Sequence, residues 1–217
     1  MKHQRRNYGQ YCGLAAALDI IGERWTLLIV RELLTGPCRY NELLANLPGI
    51  GTNLLADRLK FLTEADIIRQ RAQSGAKTRM YELTEEGESL RPAVLGLARW
   101  GLGMLGAPEA EEIVRPRWGV LAVEAMIDLR HAGPDEVYEF RLDDEVFHID
   151  VKDGQVKVLH GKAPDEPALV VQTDAVTFVE IGAGRLNPLE ATLTRRVVME
   201  GAEDAVLRCS RLLGLMN

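Results

Sequence analysis

The sequence predicts a two-domain chain, a mainly α N-terminal domain followed by an α+β C-terminal domain. Three observations predict it. Apolar residues recur at helical spacing through residues 13–65 and give way to strand-like runs only around residues 67–83. Beyond the acidic linker Ala107-Pro108-Glu109-Ala110-Glu111-Glu112 the pattern becomes a mixture of helices and strands. The formal net charge of −6 is also unevenly divided. Residues 1–106 carry 14 Lys and Arg against 11 Asp and Glu, a net of +3, and the rest carries 12 against 21, a net of −9. Domains 1–106 and 113–217, with different partners, fit this division.

Helix 13–21 rests on Leu14, Leu18 and Ile21, with Gly22 ending it. Residues 24–34 are apolar nearly all round, as in a helix buried at the middle of a small domain, and Gly36-Pro37 stops them. A short helix at 40–47 buries Leu43, Leu44 and Leu47 before Pro48-Gly49 breaks the chain. Helix 52–65 carries one stripe, Leu55, Leu59 and Leu62, on an otherwise polar cylinder. Strands at 67–71 and 79–83 flank a polar turn, and Thr84-Glu85-Glu86 starts a helix reaching about Leu105, with Pro92 as a bend. In the second half, helix 117–130 precedes strands 136–142, 145–151, 155–160 and 169–173. Helices 174–183 and 188–193, strand 197–200 and helix 202–213 complete it.

At 47% apolar and 27% charged residues the composition is that of a folded globular protein. No stretch approaches the ~18 apolar residues of a membrane span, and the basic start Met1–Arg6 leads into a helical pattern containing Asp19, not a signal-peptide core. Cys12, Cys38 and Cys209 are odd in number and widely spaced, which argues against a disulfide framework and for a reducing cytoplasm. His3, His131, His148 and His160 show no ligand spacing, so no metal or cofactor is expected. Gly101-Leu102-Gly103-Met104-Leu105-Gly106 spells a dinucleotide fingerprint, but it follows a helix and leads into glutamates that repel a pyrophosphate. No arrangement supports catalysis; the chain is read as a non-enzyme.

Three helices, a hairpin and a further helix match the order of a winged helix-turn-helix. Residues 12–100 resemble the HxlR family of bacterial regulators, relatives of the MarR group. The segments that carry the likeness are Cys12, 18–29, 31–34, Arg39-Tyr40-Asn41-Glu42-Leu43, Leu47-Pro48-Gly49-Ile50, Leu55-Ala56-Asp57-Arg58-Leu59 and 81–87. Asp66 departs from the Gly usual in the family at the exit of the reading helix, and Asp tolerates the left-handed backbone that such a turn needs.

With the three leucines inward, helix 52–65 presents Thr52, Asn53, Ala56, Asp57 and Lys60 to a major groove. Asn53 suits adenine, Asp57 the amino group of cytosine, and Ala56 a thymine methyl. Arg39, Tyr40, Arg58, Lys77 and Arg79 are expected to hold phosphates of double-stranded DNA. Arg58 has the alternative of a helix neighbour, Asp57 or Glu64, and Tyr40 of lying half in the core. Helix 84–105 carries more apolar residues than a small winged domain needs. A second subunit, met also by helix 13–21, would bury them and set two reading helices roughly 34 Å apart on a pseudo-palindromic operator. The family resemblance implies a redox role for Cys12 in some members, with Arg5 and Arg6 favouring the thiolate; the plainer alternative is a small buried residue at a helix start.

Residues 113–217 resemble the sterol-carrier-protein fold, chiefly in Thr173-Asp174, a Phe178-bearing helix, Asn187-Pro188 and Glu200-Gly201. That likeness implies an apolar tunnel lined by Trp118, Phe140, Phe147, Ile149, Phe178 and Leu189; the alternative is a closed core. The expected function is a homodimeric, sequence-specific DNA-binding transcriptional regulator, a repressor, responsive to a small apolar ligand. Two alternatives stand beside it: a redox switch through Cys12 with a purely structural second domain, and a lipid carrier using the winged domain for protein contacts.

Overall fold

A computed structural model describes residues 7–72, 79–109 and 111–216. Internal contacts divide the chain into two units, Met1–Val94 and Leu95–Asn217, the border falling upstream of the acidic linker.

The first unit opens with α1 (Gly13–Ile21) and α2 (Thr26–Leu34). Ile29, Val30, Leu33 and Leu34 of α2 are buried, as its all-round apolar sequence requires. Glu32 is also fully buried, and its carboxylate accepts from Arg31 (2.7 and 3.0 Å) and from Asn46 Nδ2 (3.0 Å). This pairing ties α2 to α3 (Tyr40–Asn46). A two-residue strand β1 (Cys38–Arg39), which no sequence signal marks, pairs with β3 (Arg79–Leu83), and β3 pairs with β2 (Ile68–Ala72). The sheet order is β1-β3-β2, antiparallel throughout.

Between α3 and β2 lies α4 (Thr52–Glu64), with Leu55, Leu59 and Leu62 buried. Asp66 closes it at φ 57°, the left-handed turn expected of it, while the Ile67 N–H donates to Leu62 O at 2.9 Å. The single helix expected over 84–105 is instead two, α5 (Glu85–Glu88) and α6 (Arg91–Leu102). Thr84 does cap the first, its Oγ1 accepting from the Gly87 N–H at 3.1 Å. Gly87 is seated so tightly that a Cβ there would stand 2.1 Å from the Ile67 carbonyl oxygen.

The second unit holds α7 (Gly119–Met126), entered through a 3₁₀ turn at Pro116–Trp118 and followed by another at Leu129–His131, so the helix expected over 117–130 is shorter than predicted. A sheet of β4 (Glu136–Leu142), β5 (Glu145–Lys152), β6 (Gln155–His160), β7 (Leu169–Thr173) and β8 (Val197–Gly201) runs in the order β6-β5-β4-β7-β8. Only the β4–β7 pair is parallel. The helices α8 (Ala175–Gly182), α9 (Pro188–Leu193) and α10 (Glu203–Leu212) complete an α+β fold. Tyr138, Phe140, Leu142, Phe147, Ile149 and Leu169 form its core with Val120 and Val123 of α7 and Cys209 and Leu212 of α10. On the other face of the sheet, buried Glu139 and His148 hold the crossover from β6 to β7, through Ala163 N–H (2.9 Å) and Gly161 O (3.0 Å).

Candidate nucleic-acid interface

The residues that turn outward from α4 follow from the three that turn inward. Thr52, Asn53, Ala56, Asp57 and Lys60 are all exposed on the helix opposite Leu55, Leu59 and Leu62. Lys60 Nζ stands 4.0 Å from Glu64 one turn on, and both side chains are well exposed, so the pair is weak and easily exchanged for another anion.

The helix is presented by a short turn. Gly49 takes φ 87°, and a side chain there would meet the Trp25 ring at 3.7 Å. Trp25 itself sits in the left-handed region at φ 78°, with the Arg24 guanidinium 5.2 Å from its ring centroid. From the same corner, Glu23 accepts from Arg58 Nη2 at 2.7 Å. Arg58 thus pairs with neither Asp57 nor Glu64. Its side chain, 21% exposed, is drawn back toward the α1–α2 corner.

Tyr40 is half-buried, and its hydroxyl donates to the Thr52 carbonyl at 2.8 Å. Its single hydrogen is therefore engaged within the protein. Arg39 and Arg79 are exposed at a cleft of about 460 Å³ that also involves Tyr40, Asn41, Glu42, Gln70 and Tyr81. Arg79 Nη1 donates to Gln70 Oε1 (2.9 Å), and Gln70 Nε2 donates to Tyr81 Oη (3.0 Å). Lys77 lies outside the described residues.

The sequence reading passed over two wing cations. Arg69 and Arg71, alternating on β2, share Glu82 of β3 at 2.8 and 3.4 Å. The Arg69 hydrogen bond holds that carboxyl below the ordinary glutamate range. The Arg-Gln-Arg spacing of two was the available signal.

Cys12 is exposed at the start of α1, which removes the buried alternative. No side-chain capping bond is closed there, but the free amides of Ala15 and Leu14 favour the thiolate and lower its pKa. Cys38 and Cys209 are buried, and burial pushes the Cys209 thiol up to about 12. Among the expected tunnel residues, Phe140 and Phe147 stack at 5.3 Å and Phe178 meets both edge-on at 6.2 and 6.4 Å. Ile149 is buried and Trp118 half-buried. Leu189 is 67% exposed and lines no interior, because α9 turns Ala191 inward instead. Among the described residues no helix is long and apolar enough to cross a membrane.

Helices α2 to α4 followed by a β2–β3 wing define a winged helix-turn-helix protein. A family model described as HxlR-like helix-turn-helix matches residues 20–108, and one for the SCP-2 sterol transfer family matches residues 128–214. An HTH-type transcriptional regulator of Mycobacterium tuberculosis (strain H37Rv) is 41% identical over 98 residues, 45% of this chain. This chain covers 61% of that relative's length. The HTH-type transcriptional regulators YvaP and YodB of Bacillus subtilis are 34% and 31% identical over 85 and 88 residues, 39% and 40% of this chain and 79% of each of them. The chain belongs to the HxlR-like helix-turn-helix family.

Proposed function

We propose that this chain is a sequence-specific DNA-binding transcriptional regulator of the cytoplasm, a repressor acting as a homodimer on a pseudo-palindromic operator. The observation that carries it is the polar strip of α4, exposed over three buried leucines and followed by a wing bearing Arg69, Arg71 and Arg79. Thr52, Asn53, Ala56, Asp57 and Lys60 meet the base edges, Asn53 suiting adenine and Asp57 the amino group of cytosine. Arg39, Lys77 and Arg79 hold phosphates. The dimer is supported by two apolar helix faces that a single copy leaves exposed: Leu14 (69%) on α1 and Trp100 (66%) with Leu97 on α6.

The C-terminal unit takes a small apolar effector or steadies the dimer. Because Phe140, Phe147 and Phe178 fill one another's space, an effector there must favour a second arrangement of α8. A redox switch through Cys12 is the second reading, favoured by the exposure of that thiol and its lowered pKa. In it the C-terminal unit is structural.

Duplex binding by the full chain across a salt series tests the main reading. The affinity should fall steeply with salt, and Lys60→Ala should weaken binding and flatten the slope by about one counterion. Absence of binding to any duplex at low salt overturns it. Release of the duplex by oxidant, lost in Cys12→Ser, would establish the second.

A further inference from the structure

We infer that Tyr40 is a positioning residue that sets base discrimination by fixing the first turn of the reading helix, and is not a DNA contact. This rests on the DNA-binding reading above. The start of α4 needs such a support. Its N-cap is Gly51, which has no side chain to accept from the free amides of the first turn. In the turn before it Pro48 fixes its own φ, but Gly49, at φ 87°, is a residue whose backbone has no side chain to restrict it.

Tyr40 bridges that turn. It is the first residue of α3, Thr52 is the first of α4, and the 2.8 Å bond joins the two helix starts across twelve positions. The accepting carbonyl belongs to the residue next to Asn53 and one helical turn from Ala56, so movement at this bond displaces the base-facing groups. A phosphate contact would need the same hydroxyl hydrogen, and Arg39 and Arg79 beside it are better donors for that purpose. The chemistry therefore divides within one cleft: the arginines for the backbone, the tyrosine for the aim of the helix.

Tyr40→Phe isolates the claim, since it keeps the ring and removes only the hydroxyl. Two probes suffice: the duplex that the unmodified chain enriches from a randomised pool, and a scrambled duplex of the same composition. Affinity for the enriched duplex should fall about fivefold, with the scrambled duplex and the salt slope unchanged. Hydrogen exchange at the Leu55 and Ala56 amides should quicken in the free protein. An equal fall on both duplexes makes Tyr40 a phosphate contact and overturns the inference. So does a ratio that stays constant, whether or not the thermal midpoint drops. An unmodified chain that enriches no duplex overturns the DNA reading itself, and this inference with it.

Discussion

In the N-terminal unit the polar strip of α4 faces outward, and its one ion pair, Lys60 with Glu64, is long and exposed. In the C-terminal unit three partly or fully buried acids of the sheet and of α8 are closed by arginines. Arg208 grips Glu136 at 2.6 and 2.7 Å, Arg141 holds Glu139 at 2.6 Å, and Arg196 pairs with Glu180 at 2.5 Å. Both units are folded around leucines, phenylalanines and other apolar side chains, so the contrast lies in what their polar groups are left to do. The open strip of α4 keeps donors and acceptors for a partner, whereas the pairs at Glu136 and Glu180 join one part of the C-terminal unit to another. The first reads as a recognition surface and the second as a scaffold, and the −9 of residues 107–217 points away from DNA.

The scaffold side of this contrast breaks most sharply at Phe147. Its ring is fully buried and stacked on Phe140, its direct cross-strand partner. Phe147→Ala should cost about 3–5 kcal/mol in urea unfolding, the range for a filled site that cannot collapse. Leu189→Ala, at an exposed position, should stay within about 0.5 kcal/mol. If Phe147→Ala costs under about 1 kcal/mol, the aromatic cluster is an open cavity after all and the scaffold description fails.

Acid should sharpen the same contrast by a smaller amount. Burial raises the pKa of Glu136, but the hydrogen bonds from Arg208 and Tyr138 outweigh it and leave the carboxyl depressed. Glu139 is likewise raised by burial and brought below its ordinary value by the Ala163 amide and Arg141, and Asp174 by Thr177. A depressed folded value means that the stabilisation is present above the ordinary carboxyl range and fades as pH falls through the folded value. Stability of the C-terminal unit should therefore be flat from about pH 7 to 5 and decline below the ordinary glutamate value of 4.5. Glu136→Gln should remove part of that decline. A urea midpoint that does not move in acid, or moves equally in the variant, would show that these pairs carry no net stability.

Much of this architecture was legible in the residues, and the failures have physical causes. The leucine stripe at 55, 59 and 62 fixed both the helix and its outward face, because period 3.6 leaves one solution. Strands 136–142 and 155–160 were readable from alternation and Asp-Asp or Asp-Gly turns. The break between α5 and α6 was marked by Pro92, read as a bend, where it instead sits in the first turn of a new helix. β1 is two residues long, too short for any period to register. Tertiary pairs escaped for another reason. Arg58 finds Glu23, 35 positions away, and Tyr40 finds Thr52 across a turn, neither of which spacing along one element can reveal. Leu189 was placed inside by the likeness to a sterol-carrier tunnel, although Ala191 is the residue that α9 buries.

The smallest expected effect on stability is at the cysteines, where the two units differ again. Cys12 is exposed, and the helix-end amides favour its thiolate. Cys209 is enclosed by the C-terminal core, with its thiol pushed up to about 12. Alkylation of the native protein near pH 7.5 should therefore modify Cys12 alone, since both the thiolate fraction and access favour it. Cys38, buried beside the Glu32 carbonyl, should react with Cys209 only after denaturation. Cys12→Ser should abolish native labelling while shifting stability by less than about 0.5 kcal/mol, because nothing is packed on an exposed side chain. Mass spectrometry of the labelled peptides decides it. Native modification of Cys209 at a rate comparable to Cys12 would mean that the C-terminal core opens readily, and the rigid half of the contrast would be lost.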